Sequence, residues 1–175
     1  MTLAAGRWTL ALDGSATPDR ALIGGKAWSL ARMRALGLPV PPAFVVTSRA
    51  CVHFLEHGAE PSELAAELAA GVGWLEQQTG RRFGAGPRPL LVSVRSGAAI
   101  SMPGMMDTVL NLGITDDTEP ALAEECHDPA FARDTHRRFL ELYAAIVLKS
   151  AGPELDRGQD PAHWRQELGR VPVRG

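Results

Sequence analysis

Gly24-Gly25-Lys26 stands where an apolar pattern typical of a helix begins, and it combines features that suit phosphate binding. Glycines let the backbone approach an anion closely, the start of a helix offers free N–H groups, and a lysine side chain can reach a phosphate. The GxxxxGK[ST] spacing of a Walker A loop is absent. The triplet is therefore a candidate phosphate site, with an ordinary turn before a helix as the alternative.

A second candidate follows Leu90-Leu91-Val92-Ser93-Val94, the most strand-like run of the chain. Next comes Arg95, a residue type that binds phosphate oxygens in a bidentate manner, at a strand end where open sheets bind ligands. The loop from there to Asp107 is rich in glycine, serine and methionine, and its amides are able to cradle a polyphosphate. The alternative is that Arg95 pairs with a local carboxylate and the methionines fill a gap in the core.

The lysines of the chain are unusually few. Among 18 basic residues, 16 are arginines and two are lysines, Lys26 and Lys149. Because arginine serves almost everywhere that positive charge suffices, the lysine at position 26 hints that a compact ammonium group is needed there.

The other residues whose types can bind metals or transfer protons are mostly expected to have structural roles. His53, His57 and His136 fall on predicted helices and are expected to be surface or half-buried residues. The acidic segment 116–128 lacks the framework of a calcium loop and is interpreted as a solvated connection with a short helical turn. Asp107 either contacts Mg²⁺ or caps a turn, and the chain is predicted to have no metal site of its own. The two cysteines, Cys51 and Cys126, form no CxxC pair and indicate a reducing compartment.

Composition restricts the class of protein. The 175 residues, 45% of them apolar and with a net charge of −2, suit one globular domain. A pI near 6.2 with interspersed charges argues against a nucleic-acid partner. No stretch approaches the ~18 consecutive apolar residues of a membrane span. Arg7 and Trp8 interrupt the region where a signal peptide needs an apolar core, so we expect a cytoplasmic protein.

The elements that must position the candidate residues are a mixture of strands and helices. Alternation and periodicity predict strands at 8–12, 43–46, 90–94 and 108–112, and helices at 26–36, 48–57, 60–77 and 129–149. The inner face of the last helix is predicted to consist of Phe131, Thr135, Phe139, Leu142 and Ile146. Residues 152–175 are polar and are expected to form a loosely held tail. Because strands and helices do not alternate cleanly, the fold class is predicted to be α+β.

Several blocks follow one another in a specific order along the chain. They are Ile23-Gly24-Gly25-Lys26, Gly37-Leu38-Pro39-Val40-Pro41-Pro42-Ala43-Phe44, Leu91-Val92-Ser93-Val94-Arg95-Ser96-Gly97-Ala98-Ala99, Ser101-Met102-Pro103-Gly104-Met105-Met106-Asp107-Thr108-Val109-Leu110-Asn111-Leu112-Gly113 and Arg137-Arg138-Phe139. Together they resemble the start of the pyruvate, phosphate dikinase family, over roughly residues 8–148. The related phosphoenolpyruvate synthases share the first blocks but have a different loop after the arginine, so the Met-Pro-Gly-Met-Met stretch favours the dikinase.

The resemblance implies the first lobe of an ATP-grasp nucleotide-binding domain, a mixed sheet flanked by helices, over residues 1–150, with a polar tail over 151–175. It implies that Lys26 and Arg95 are catalytic residues that hold the ATP phosphates and stabilise charge on the transferred group. The loop after Arg95 would close over the polyphosphate, and the ATP-binding residues implied there are Ser101, Met102, Gly104, Met105, Met106 and Thr108. The implied cofactor is ATP with Mg²⁺, whose ligands come from a second lobe that has no matching segment here.

The family reaction converts ATP, phosphate and pyruvate into AMP, pyrophosphate and phosphoenolpyruvate through a phosphohistidine. Neither the Thr-Ser-His motif nor the pyruvate-binding barrel occurs in these residues, so the chain is expected to be incomplete alone. It is either a fragment or a short stand-alone gene product, and a separately encoded second lobe or remainder is its candidate partner. Trp28 stands where the family usually has a small residue, and it either packs against the sheet or crowds the nucleotide. A stand-alone nucleotide-binding or docking module, and a remnant without a ligand, are the alternative functions.

Overall fold

The computed structural model of the chain describes residues 6–97, 107–149, 155–156 and 158–170, which contain short strands and longer helices. The strands are β1 (Thr9–Ala11), β2 (Phe44–Val46), β3 (Arg82–Phe83), β4 (Pro89–Leu90), β5 (Val92–Arg95) and β6 (Thr108–Leu112). The helices are α1 (Arg20–Ala35), α2 (Ser48–His57), α3 (Leu64–Thr79), α4 (Glu119–Cys126), α5 (Pro129–Ile146) and α6 (Pro161–Arg170). This mixture fits the α+β class. The described strands form three two-stranded sheets, so the expected mixed sheet is not seen among them.

The described residues belong to two compact units. The first unit contains residues 6–79 and Gly97, with β1, β2 and α1 to α3. The second unit contains residues 80–96 and the described residues from 107 onward, with the remaining strands and helices.

The first unit is built on an antiparallel strand pair. β1 pairs with β2, with Thr9 opposite Val46, which confirms both predicted strands. Between this sheet and α1 lies an apolar cluster with the buried residues Leu12, Ile23 and Ala31. A second cluster joins the sheet to α2 and α3, and its buried residues are Trp8, Ala50 and Leu64. Helix α2 has the predicted bounds, and it ends at a glycine in the left-handed conformation.

The carboxylate of Glu67, on α3, binds the start of β1. Its Oε2 accepts hydrogen bonds from the backbone N–H groups of Trp8 (2.9 Å) and Thr9 (2.7 Å) and from the Thr9 hydroxyl (3.0 Å). Its Oε1 accepts one from the Arg7 N–H at 3.0 Å. Desolvation raises the pKa of Glu67, but the hydrogen bonds from Trp8, Thr9 and Arg7 outweigh it and hold the pKa below the usual glutamate value. The ionised carboxylate therefore fixes β1 on α3.

The second unit divides the apolar run 90–94 between two strands. β4 pairs parallel with β3 and ends at Leu90, while β5 begins at Val92 and pairs antiparallel with β6. Val94 is 51% exposed, and Arg95 is exposed as well. The prediction of one strand over residues 90–94 is therefore wrong, and β5 has β6 on one edge and no described strand on the other.

A bulge bends β6 near its end. Val92 pairs with Leu112 and Val94 with Val109, so β6 has one more residue than β5 between these pairs. Asn111, the single asparagine of the chain, takes the left-handed conformation there with φ of 60°, which asparagine tolerates better than most residues. Gly113 follows with φ of 110°, and a Cβ atom at this position would lie 2.4 Å from the Leu90 carbonyl oxygen. Only glycine fits this close approach of β6 to β4.

Helix α5 is confirmed, but its buried face differs from the predicted one. Thr135 is buried as predicted and Phe139 is partly buried, whereas Phe131 is 54% exposed. The other buried residues of the helix are Ala132, His136, Arg137, Leu140 and Ala144. The two alanines have no exposed surface, so α5 packs closely through small side chains rather than through its largest apolar ones.

Helix α6 lies in the segment that was expected to be a loosely held tail. Trp164 is fully buried, and its indole N–H donates to the Asp156 carbonyl at 2.8 Å. The cluster around it contains Leu140, Ala144, Leu155 and Leu168. The expectation is therefore wrong for this helix, because Trp164 and Leu168 are four residues apart and form one apolar face. The domain boundary at residue 150 stays a prediction.

Among the helices of the described residues, none combines the length and the apolar composition that a membrane-spanning helix requires.

Glu67→Gln is expected to lower the free energy of unfolding by about 2 kcal/mol at neutral pH, because three backbone donors and one hydroxyl lose a charged acceptor. Since the pKa of Glu67 is lowered in the folded state, this stabilisation is present above the usual glutamate pKa and is lost as the pH falls through the folded value. Urea unfolding from neutral to acidic pH measures both effects. The exposed Glu60→Gln is the matched control, and equal curves for the two variants would refute the role of Glu67.

Gly113→Ala is expected to lower the free energy of unfolding by at least about 2 kcal/mol, because it forces a left-handed backbone on alanine and a clash with the Leu90 carbonyl. The matched control is Gly73→Ala on α3, where a Cβ meets nothing within 4 Å and alanine is expected to stabilise the helix by about 0.5–1 kcal/mol. Denaturant unfolding of both variants measures the difference. A neutral Gly113→Ala would contradict the close approach.

Candidate functional site

The predicted phosphate-binding glycines lie at a break in α1. The helix is capped by Asp19, whose carboxylate accepts from the Ala21 N–H at 3.0 Å. It is interrupted at Gly24, where φ is 78° and ψ is 164°. A residue with a side chain rarely adopts this conformation, so the glycine is required for the break. The helical segment that follows begins with Gly25 and Lys26.

Lys26 therefore stands in the first turn of a helical segment, as the sequence predicts. The first N–H groups of such a segment lack carbonyl partners within it, and its dipole favours a negative charge at this end. The Ser29 hydroxyl donates to the Gly25 carbonyl at 3.0 Å and supports this turn. The Lys26 side chain is half-buried and forms no ion pair with any described residue. Within the described part of the chain, its ammonium group therefore has no carboxylate partner next to this helix start.

Trp28, the departure from the family pattern, packs against the apolar cluster of the first unit. The Arg20 and Arg32 guanidinium groups lie 5.6 and 5.0 Å from the centroid of its ring, within the range of cation–π contacts. The indole is therefore held by the core and by two cations. Packing against the cluster, the first of the two alternatives for Trp28, is what the structure contains.

In the second unit, Arg95 and Thr108 face each other across the strand pair. They are register partners at the end of β5 and the start of β6. Beyond them, the Ser96 N–H and hydroxyl both donate to the Asp107 carbonyl, at 3.3 and 3.1 Å, and close the base of the loop. The predicted loop residues Ser101, Met102, Gly104, Met105 and Met106 lie outside the described residues. No ion pair to Arg95 is present among the described residues, so the local carboxylate partner is not found there.

The two predicted cations belong to different units, Lys26 to the first and Arg95 to the second. Gly97 belongs to the same unit as Lys26, and a Cβ atom built on it would lie 3.9 Å from the Ile23 carbonyl oxygen, one residue before the Gly24 break. Arg95 precedes Gly97 by two residues in the chain.

No group of three or more histidine, cysteine, aspartate or glutamate side chains in the described ranges is gathered closely enough to hold a metal ion.

A buried charged cluster in the second unit was missed by the sequence analysis. Glu119, at the start of α4, accepts from Nε of Arg133 at 2.6 Å and is 2.7 Å from Nδ1 of His136. His136 is 2% exposed and meets the Trp164 ring edge-on, with centroids 6.1 Å apart. The expectation that His136 is a surface or half-buried residue is therefore wrong. The interpretation of residues 116–128 as a solvated connection is wrong for Glu119, which is 8% exposed. The cluster links α4, α5 and α6 and is structural.

Comparisons with known proteins match the part of the chain that contains the Gly24 break and Lys26. The family model "Pyruvate phosphate dikinase, AMP/ATP-binding domain" matches residues 20–70, which include Lys26 and the Gly24 break. Pyruvate, phosphate dikinase of Clostridium symbiosum is 41% identical over 144 residues, 82% of this chain and 16% of the relative. The enzyme of Rhizobium meliloti is 49% identical over 137 residues, 78% of this chain and 15% of the relative. Pyruvate, phosphate dikinase 2 of Zea mays is 50% identical over 128 residues, 73% of this chain and 14% of the relative.

The chain belongs to the pyruvate, phosphate dikinase family. It spans about a sixth of the length of the relatives that it matches. The match to the AMP/ATP-binding domain covers α1, β2 and α2 of the first unit, and the matches to the dikinases extend over about three quarters of the chain. The family assignment made from the sequence blocks is therefore confirmed.

Glu119→Ala is expected to lower the free energy of unfolding by about 2–3 kcal/mol, because it leaves the buried His136 and the Arg133 guanidinium without their carboxylate partner. Thermal and denaturant unfolding at neutral pH measure the loss. Glu124→Ala, at an exposed position of the same helix, is the matched control and is expected to be within about 0.5 kcal/mol of the unaltered chain. Equal stabilities of the two variants would contradict a structural role for the cluster.

Proposed function

We propose that this chain is the ATP-binding, phosphate-recognising portion of a pyruvate, phosphate dikinase-type phosphotransferase. The observation that carries the proposal is the position of Lys26, in the first turn after the Gly24 break and without an ion pair to any described residue, inside the stretch that matches an AMP/ATP-binding domain. In finer terms, residues 1–150 are the first lobe of an ATP-grasp domain and residues 151–175 are a segment outside it.

Lys26 and Arg95 are the proposed catalytic residues. Phosphoryl transfer requires little covalent chemistry from a protein, which acts mainly by positioning the phosphates and by stabilising their charge. The Lys26 ammonium supplies a compact charge, and the Arg95 guanidinium supplies two parallel donors for phosphate oxygens. The loop closes over the polyphosphate through Ser101, Met102, Gly104, Met105, Met106 and Thr108. Mg²⁺ accompanies ATP, with ligands from a second lobe outside these residues.

Both cations are proposed to act on one polyphosphate. Within the first unit, the support is that Gly97 lies beside the Ile23 carbonyl, one residue before the Gly24 break. Arg95 also stands at the end of a strand pair whose tip is the loop of the proposed ATP-binding residues.

The complete reaction would convert ATP, phosphate and pyruvate into AMP, pyrophosphate and phosphoenolpyruvate. Because these residues span about a sixth of the relatives' length, we assign to this chain the recognition of ATP phosphates alone. The phosphate acceptor and the pyruvate site are assigned to a remainder that would be its partner, in the cytoplasm.

Mg-ATP is expected to raise the stability of the chain through contacts with Lys26 and Arg95. At 100 times its dissociation constant, a ligand adds about 2.7 kcal/mol to the free energy of unfolding. Thermal unfolding with increasing Mg-ATP measures this, and Lys26→Ala and Arg95→Ala are each expected to abolish most of the shift. Lys149→Ala and Arg88→Ala are matched controls at exposed positions and are expected to leave it unchanged.

Absence of any shift in the unaltered chain would favour a remnant without a ligand. A shift that survives both substitutions would place the nucleotide elsewhere and contradict the assignment of the two cations. Full dikinase turnover by these residues alone would contradict the assignment of the remaining steps to a partner.

A further inference from the structure

Helix α2 packs on the first unit through a small side chain and a polar one. Its buried residue is Ala50, 5% exposed, which lies in the apolar cluster with Trp8 and Leu64. His53 is half-buried and meets the Trp8 ring edge-on, with centroids 5.4 Å apart. The inner face of the helix is therefore the one that contains positions 50 and 53.

The large apolar side chains of α2 are exposed instead. Leu55 is 77% exposed, and Val52 and Phe54 are each 50% exposed. Val52 and Leu55 are three residues apart, and Cys51, which is also exposed, stands four residues before Leu55, so these three residues are neighbours on the outer face. We call Cys51, Val52 and Leu55 the apolar stripe. A contiguous exposed group of this kind is typical of an interaction surface.

Two opposite charges stand near the two ends of the stripe, on one flank of the helix. Arg49 is in the first turn of α2 and Glu56 is in the last, and both line the pocket beside Trp8, together with Val52. They are seven residues apart, so they lie about 10 Å from each other along the helix axis. Neither has an ion pair within the part of the chain that the structure describes. Both charges are therefore available to another molecule.

We propose that α2 is a self-association surface that packs antiparallel against the α2 of a second copy of this chain. A two-fold axis brings the same patch of both copies together, so each charge must meet its opposite across the axis. With the axis midway between positions 52 and 53, Arg49 of one copy lies level with Glu56 of the other, on the same flank of the pair. Val52 lies beside the axis, and Leu55 packs between Val52 and Ser48 of the second copy. The order of charges along α2 thus complements its own reverse, which an unrelated partner would not require.

This contact is expected to be weak. Stable interfaces bury about 1,200–2,000 Å² in total, and a pair of ten-residue helices offers less. The apolar stripe supplies most of the affinity, whereas the solvent-exposed charges mainly determine the antiparallel direction. The dissociation constant is therefore expected to be weaker than about 1 μM, the weak end for interfaces of standard size.

Sedimentation velocity of the unaltered chain over a range of concentrations tests the self-association, and a monomer–dimer equilibrium is the expected result. Leu55→Ser is expected to raise the dissociation constant by about tenfold or more, because it removes an apolar side chain from both copies. Since the position is exposed, the variant should fold as before. Phe131→Ser, at a 54% exposed position of α5, is the matched control and should dimerise like the unaltered chain.

Two results of this measurement would overturn the proposal. One is an unaltered chain that stays monomeric up to about 1 mM. The other is an equal dissociation constant for the Leu55→Ser and Phe131→Ser variants.

Exchange of the two charges tests the antiparallel direction and the identity of the occupant. Arg49→Glu alone and Glu56→Arg alone each place like charges opposite one another, so each is expected to weaken the dimer by about three- to tenfold at low salt. Each change also suits the helix dipole, so a weakened dimer would not reflect loss of the helix. The double variant Arg49→Glu/Glu56→Arg restores both pairs and is expected to dimerise like the unaltered chain. A double variant as weak as the single ones would contradict the antiparallel pair and favour a different occupant of the stripe.

Cys51 provides a second measurement that depends on geometry alone. It lies less than two residues from the proposed axis, so the Cys51 residues of the two copies are about 4–5 Å apart along the helix axes. Cys51 and Cys126 are both exposed. A short bismaleimide is expected to link two chains of the Cys126→Ser variant and not two chains of the Cys51→Ser variant. Covalent dimers that form through Cys126 alone would contradict the arrangement.

Discussion

The arrangement of the first unit depends on one carboxylate. Glu67 accepts hydrogen bonds from three successive backbone N–H groups at the start of β1 and from the Thr9 hydroxyl. β1 has β2 on one edge and no described strand on the other. The position of β1 in turn sets the apolar cluster under α1. A single ionised side chain thus holds the strand that packs against the apolar cluster beside the Gly24 break.

The Gly24 break has a comparable importance for the proposed nucleotide site. A continuous helix from Arg20 to Ala35 would satisfy the amide groups near Lys26 within the helix. The backbone conformation at Gly24 instead starts a new segment, so the lysine stands at a positive end of a helical dipole. The Trp28 ring, held in the core and between two guanidinium groups, anchors the same segment. Preorganised charge of this kind is what a phosphate-binding site requires.

Much of the local structure was predictable because it depends on neighbours in the chain. The bounds of α2 follow from its flanking residues, and β6 follows from its apolar alternation before Asn111 and Gly113. The order of the motif blocks identified the family, which the comparisons confirm. The roles of Lys26 and Arg95 stay predictions, since the two residues belong to different units and part of the loop lies outside the described residues.

The sequence by itself determined the family and a mixture of helices and strands that fits the α+β class, and it predicted which residues would meet a phosphate. Only the tertiary structure decided which polar groups are buried. The Glu67 contact joins residues about sixty positions apart, and the Glu119 carboxylate joins side chains 14 and 17 positions away. Periodicity describes one helix at a time and favours large apolar side chains, so it assigned Phe131 to the interior of α5 instead of His136. The structure buries His136 because a carboxylate on another helix compensates its desolvation, and this pairing is visible only after the chain has folded.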